Sequence, residues 1–143
     1  MVSTGGVLNN STAPEVVVYG QITTPATTTP KEPIATEPVI VTEEGIVRSY
    51  FEDLPIMVQI AECESNFNHT RSDGSVLRGR IDDDDIGVMQ INRRYHGESA
   101  DKMELDLNDI YDNMTYARVL YNESGTRPWN PSAHCWDKTL AKA

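Results

Sequence analysis

The chain has 143 residues and carries 22 acidic against 12 basic side chains, a net charge of −10 at pH 7. No basic stripe is present to neutralise phosphates, so nucleic acid is excluded as an expected partner. No run of eighteen apolar residues occurs, so the sequence offers no membrane span.

Residues 1–44 are rich in Thr, Pro, Val, Ser and Gly around Thr23-Thr24-Pro25-Ala26-Thr27-Thr28-Thr29-Pro30. This composition predicts a disordered, flexible Thr/Pro-rich linker. Val16 to Tyr19 has the residues of a short strand but no evident partner strand. Met1 to Asn10 has neither the basic region nor the apolar run of a signal peptide. A Thr/Pro stalk before a compact domain suits an extracytoplasmic module held away from a membrane or wall. The expected location is therefore secreted, periplasmic or wall-associated, with an export signal or anchor removed upstream.

Residues 45–143 predict one small α+β domain, mostly α. Thr42-Glu43-Glu44 reads as a helix start, with Ile46, Val47, Tyr50, Phe51 and Leu54 as the apolar stripe of a first helix. Pro55 opens a second helix that runs to Glu64 or Ser65. There Ile56, Met57, Ile60 and Ala61 recur at helical spacing, and Glu64 falls four after Ile60 and three after Ala61. Glu64 thus continues the buried stripe, whereas Glu62 is rotated about 200° from it and faces solvent. A carboxyl against apolar neighbours resists ionising, which suits a general acid. The bland alternative is that Glu64 caps a helix end or pairs with an arginine.

Further along, Ser72-Asp73-Gly74-Ser75 is a turn signal and Val76 to Ile81 a candidate strand. Asp82-Asp83-Asp84-Asp85 is a second turn, and Ile86 to Ile91 returns antiparallel, giving a small β-hairpin. The aspartate run has three readings: a solvated turn, a source of a catalytic partner, or a Ca²⁺ loop, although no Gly follows at EF-hand spacing. Asp109 to Tyr121 predicts another helix with Ile110, Met114, Ala117 and Tyr121 on one face and Gly125 as its stop. Cys63 and Cys135 bracket nearly the whole domain, and a core this small gains from a staple, so a disulfide is expected, with two separate buried thiols as the alternative. His69, His96 and His134 lack paired ligand spacing, so no zinc site is expected.

Three segments in order, Glu64-Ser65-Asn66-Phe67, Gly87-Val88-Met89-Gln90 and Asn113-Met114 with Ala117 in place of a glycine, resemble the signatures of the lysozyme-like superfamily. The likeness is to soluble (SLT-type) lytic transglycosylases and animal lysozymes and spans about residues 55–136. It implies a lysozyme-like fold, cleavage of the MurNAc-β-1,4-GlcNAc bond of peptidoglycan glycan strands, no cofactor, and a monomer. Glu64 corresponds to the family's catalytic acid. Chicken-type lysozymes also carry Glu-Ser-Asn-Phe-Asn and an Asp two residues before a Gly that leads into Gln-Ile-Asn, a position held here by Asp85. That correspondence implies a hydrolytic lysozyme using Glu64 plus Asp85, whereas the transglycosylase route needs Glu64 alone. Ser65, Gln90 and Asn92 are the matched sugar-orienting groups. Tyr116 and Trp129 are candidate platforms for pyranose rings or else core residues, the two readings balanced for Trp129 and the core favoured for Tyr116. Trp136 is assigned to packing. The family's late Tyr-Asn segment has no counterpart in Arg127-Pro128-Trp129-Asn130-Pro131. A non-catalytic wall-binding module, or a stalk whose globular end binds a protein, are the rival classes.

Overall fold

The computed structural model describes residues 39–139, so most of the 1–44 linker, including Val16 to Tyr19, lies outside the described residues. Among the described residues five α-helices accompany one two-stranded antiparallel sheet, the mostly helical α+β class that the sequence predicts. No helix among the described residues is long and apolar enough to cross a membrane.

Helix α1 spans Glu43–Tyr50 and begins where Thr42 accepts a hydrogen bond from Gly45 N at 3.0 Å. That bond satisfies one orphan donor of the first turn. Helix α2 spans Pro55–Ser65, with Pro55 at the first turn, where its missing N–H costs nothing. It stops because Asn66 and then Phe67 take left-handed backbone angles, φ 53° and 63°. Asn tolerates that region, but an aromatic residue seldom does. Phe67 is repaid by burial in the core, with the Arg48 guanidinium 4.9 Å from its ring centroid.

The expected hairpin is corrected. Val76 to Ile81 is not a continuous strand; it makes only isolated bridges, Thr70 with Val76 and Arg78 with Ile86. The paired strands are β1, Asp85–Ile86, and β2, Ile91–Asn92, so the turn sits at 87–90 rather than at 82–85. The reason lies in the backbone: Gly87 and Gln90 have φ of 70° and 48°, which breaks any straight run from Ile86 to Ile91. Residues 82–85 do form a turn, closed by Asp85 N donating to Asp82 O at 3.1 Å.

Helix α3, Arg93–Lys102, was not anticipated, since its sequence has Gly97 at its middle and buries only Ala100. Its legible signal is Asn92, whose side chain accepts from Arg94 N at 3.1 Å as N-cap. Helix α4, Ile110–Ser124, starts at the cap Asp109 and ends at Gly125, φ 62°, as the sequence suggests. Arg118 on α4 grips Asp53 with both terminal nitrogens, at 2.8 and 2.9 Å, and donates to Tyr50 O, tying α4 to the α1–α2 turn. A 3₁₀ helix, Arg127–Ser132, leads into α5, Ala133–Trp136. Phe51, Met57, Ile60, Ile86, Met89 and Met114 are fully buried between these elements and form the centre of the core. Cys63 and Cys135 form a disulfide with a Cα–Cα distance of 5.9 Å, joining α2 to α5.

Candidate active site

Helix α2 delivers Glu64 one residue before its end, where the chain turns away and the side chain is only partly covered. Among the described residues neither bland alternative holds: Glu64 caps no helix and pairs with no arginine. Its Oε1 accepts from Ser132 Oγ at 2.5 Å, across 68 residues of sequence. Burial pushes the carboxyl above its ordinary range, the Ser132 hydrogen bond pulls it back in part, and the nearby charge of Asp85 raises it further. Trp136 sits behind Ser132, its Nε1 donating to Ser132 Oγ at 3.0 Å and to Trp129 O at 3.1 Å. Glu64 therefore ends a relay that runs from indole N–H to hydroxyl to carboxylate.

Two cavities meet at this carboxyl. One, of about 560 Å³, is lined by residues that include Glu64, Asp85, Gln90, Asn92, Tyr95, Trp129 and Ser132. The other, of about 460 Å³, has Glu64, Ser65, Arg78, Arg80 and Asp85 in its walls. They share Glu64, Ile81, Asp85 and Gln90, so open surface passes the carboxyl on both sides.

Asp85 stands on β1, opposite Asn92 in the sheet register. Its Oδ1 accepts from Asn92 Nδ2 at 2.8 Å, and the same amide donates to Asp82 at 3.0 Å. Burial, followed by the charges of Asp82 and Asp84, raises the Asp85 carboxyl, against the opposing hydrogen bond from Asn92. Asn92 is thus a positioning group: its amide nitrogen serves two aspartates and its oxygen caps α3. Asp82 and Asp84 form a salt-bridged turn with Arg94, and no group of three or more metal-ligating side chains suited to an ion occurs among the described residues.

The remaining sequence candidates divide. Ser65 Oγ lies within hydrogen-bond distance of Ala61 O (3.0 Å) and Val88 O (2.8 Å), locking the end of α2 to the 87–90 turn. Gln90 lines both cavities, its amide nitrogen donating to Gly87 O at 2.8 Å. Trp129 is all but buried and donates to Met89 O at 2.9 Å, so it gives the groove a wall rather than an open face. Tyr116 follows the core reading, and its candidacy as a sugar platform is corrected: it is buried, lines neither cavity, and its hydroxyl lies 3.3 Å from His96 Nδ1. The exposed aromatic in the groove is Tyr95, on the unanticipated α3. Trp136 packs as expected.

The turn beneath the carboxyl is held from below by two buried polar residues. Asn113, fully buried on α4, accepts from Met89 N at 3.1 Å and donates to Ile86 O and Leu107 O, both at 3.0 Å. His69 accepts from Val88 N at Nδ1, which leaves Nε2 to donate to Asn108 O at 2.7 Å. A Cβ on Gly87 would lie 2.6 Å from the His69 ring and 2.8 Å from Asn113 Nδ2, so glycine is required there. The Gly-Val-Met-Gln segment is therefore a clamped floor, fixed in place relative to the end of α2 by the Ser65–Val88 hydrogen bond. No family model matches the chain, and no curated protein or solved structure is significantly similar to it.

Proposed function

We propose that this domain cleaves the β-1,4 bond between N-acetylmuramic acid and N-acetylglucosamine in peptidoglycan, as a lysozyme-like lytic transglycosylase with Glu64 as general acid and base. One observation carries the reading: a half-covered carboxyl with a raised pKa stands where two open cavities meet. A polymer running from one cavity into the other passes over a side chain that holds its proton more tightly than an exposed carboxyl does.

In the proposed reaction Glu64 gives its proton to the bridging oxygen, and the departing sugar leaves with a free hydroxyl. The ionised Glu64 then takes the proton of the muramic C6 hydroxyl as that oxygen closes on the anomeric carbon. The product is a 1,6-anhydro end, with no water consumed. Asp85 favours a second route: it shares the groove, is oriented by Asn92, and its charge raises the Glu64 pKa, the division of labour of two-carboxylate glycosidases. In that route water enters, and the product is a reducing end.

The disulfide supports an oxidising, extracytoplasmic setting. The test is digestion of purified wall by wild type and Glu64→Gln, with the soluble products weighed. Anhydro ends, lighter by one water, support the transglycosylase, and reducing ends the hydrolase. Binding with no soluble product in either digest means a wall-binding module instead, and identical digests from wild type and variant remove Glu64 from the chemistry.

A further inference from the structure

The second cavity carries two guanidinium groups, Arg78 and Arg80, in its wall. Among the described residues Arg48, Arg94, Lys102 and Arg118 are each engaged with a neighbouring carboxylate, whereas Arg71, Arg93, Arg127 and Lys138 form no ion pair. Among the described residues, Arg78 and Arg80 form no ion pair and no side-chain hydrogen bond, although Glu62 and Asp85 share the same walls. What sets Arg78 and Arg80 apart from the other unpaired cations is their place: both line the cavity that Glu64 shares.

Their segment is fixed. Gly79 N donates to Asp85 O at 2.9 Å, and Arg78 bridges Ile86. A Cβ on Gly79 would lie 2.2 Å from Asp82 O and 2.9 Å from the Asp85 Cβ, so only glycine allows this approach. Arg78 and Arg80, on either side of that glycine, both line the second cavity.

We propose that this arm of the groove is a subsite for a carboxylate-bearing substituent of the glycan strand, held by Arg78 and Arg80. The inference rests on the glycan-cleaving reading above. A guanidinium offers a planar fork that matches a carboxylate. A chain of net charge −10 repels an acidic strand, so local cations are needed where the acidic group sits, and a neutral strand needs none. The muramic lactyl group and the peptide stem are two sources of such a carboxylate.

Binding and cleavage are measured for wild type, R78Q, R80Q, R78Q/R80Q and R78K/R80K on oligomers of equal length. The substrates are an N-acetylglucosamine oligomer, a peptide-free muramyl glycan, and a stem-bearing muramyl glycan, the acidic ones with carboxylates free or amidated. The expected result is a KM for the free acids raised about five- to tenfold in R78Q/R80Q, with kcat and the neutral and amidated substrates unchanged and R78K/R80K partly restored. Loss on the peptide-free glycan identifies the lactyl group, and loss on the stem-bearing glycan alone identifies the peptide. Thermal unfolding of the single variants separates a folding defect from a binding one. Equal handling of free and amidated glycans by wild type and R78Q/R80Q overturns the subsite while leaving glycan cleavage intact. Failure of wild type to bind or cleave any of them overturns both.

Discussion

Ser132 Oγ donates to Glu64 Oε1, and its one proton has a second acceptor within reach, Trp129 O at 3.0 Å. With Glu64 ionised, the hydroxyl faces the carboxylate; with Glu64 protonated, it can turn to Trp129 O and accept the acid's own proton. Ser132 therefore favours the ionised form, against the burial that favours the neutral one. Ser132→Ala is expected to raise the Glu64 pKa further and move the alkaline limb of the pH-activity profile upward. Ser132→Thr keeps the hydroxyl and the wild-type profile. A carboxyl ¹³C titration by NMR reads the same shift without any substrate.

Asp85→Asn is expected to shift that titration the other way. The Asp85 charge raises the Glu64 pKa, so its removal lowers it and brings the alkaline limb down. Opposite displacements from the two variants, in one NMR experiment, establish that both groups act on Glu64.

Glu64→Gln is expected to lower cleavage by about 10³-fold, the scale of a lost general acid. Its effect on stability depends on pH. A carboxyl raised above its ordinary value of 4.5 binds its proton more tightly in the folded chain. Its contribution to stability is full below that value and is lost as pH rises through the folded one. The variant should match wild type in acid and exceed it near neutrality, as read from urea unfolding midpoints at about pH 4 and about pH 7.

Asn113→Ala is expected to destabilise the fold by about 3 kcal/mol, because it leaves Met89 N–H, Ile86 O and Leu107 O buried without this partner. Faster hydrogen exchange at the Met89 amide, beyond the global change, would identify the 87–90 turn as the part released.

Reduction of the Cys63–Cys135 bond, which spans a sequence separation of 72, is expected to cost about 4 kcal/mol in the chain-entropy account. Because Cys63 precedes Glu64 and Cys135 follows Ser132 by three residues, the Glu64 titration should also shift on reduction. Thermal melts and NMR titration with and without a thiol reductant check both.

Much of the site was legible because its parts are local. One helical stripe places Glu64, and one short glycine-centred segment places Gln90 and Asn92. The Thr42 and Asp109 caps, Pro55 and Gly125 likewise marked helix ends through chemistry within a turn of each residue. What escaped was set by tertiary context. Helix α3 has too few apolar residues to show a period, so Tyr95 was missed with it. The strand predicted over 76–81 failed because Gly79 packs against the aspartate turn, a contact that no periodicity records. Ser132 was missed because its partner is remote in sequence, and Tyr116 stayed open between groove and core because an aromatic residue looks the same on paper whether it lines a cavity or packs inside.

The carboxyl and its hydroxyl donor lie far apart along the chain, and this bears on synthesis. A nascent polypeptide that has left the ribosome through α4 already carries Glu64, but without Trp129, Ser132 or Trp136 to cover and orient it. A chain cut after α4 would thus present the carboxyl without the groups that tune it.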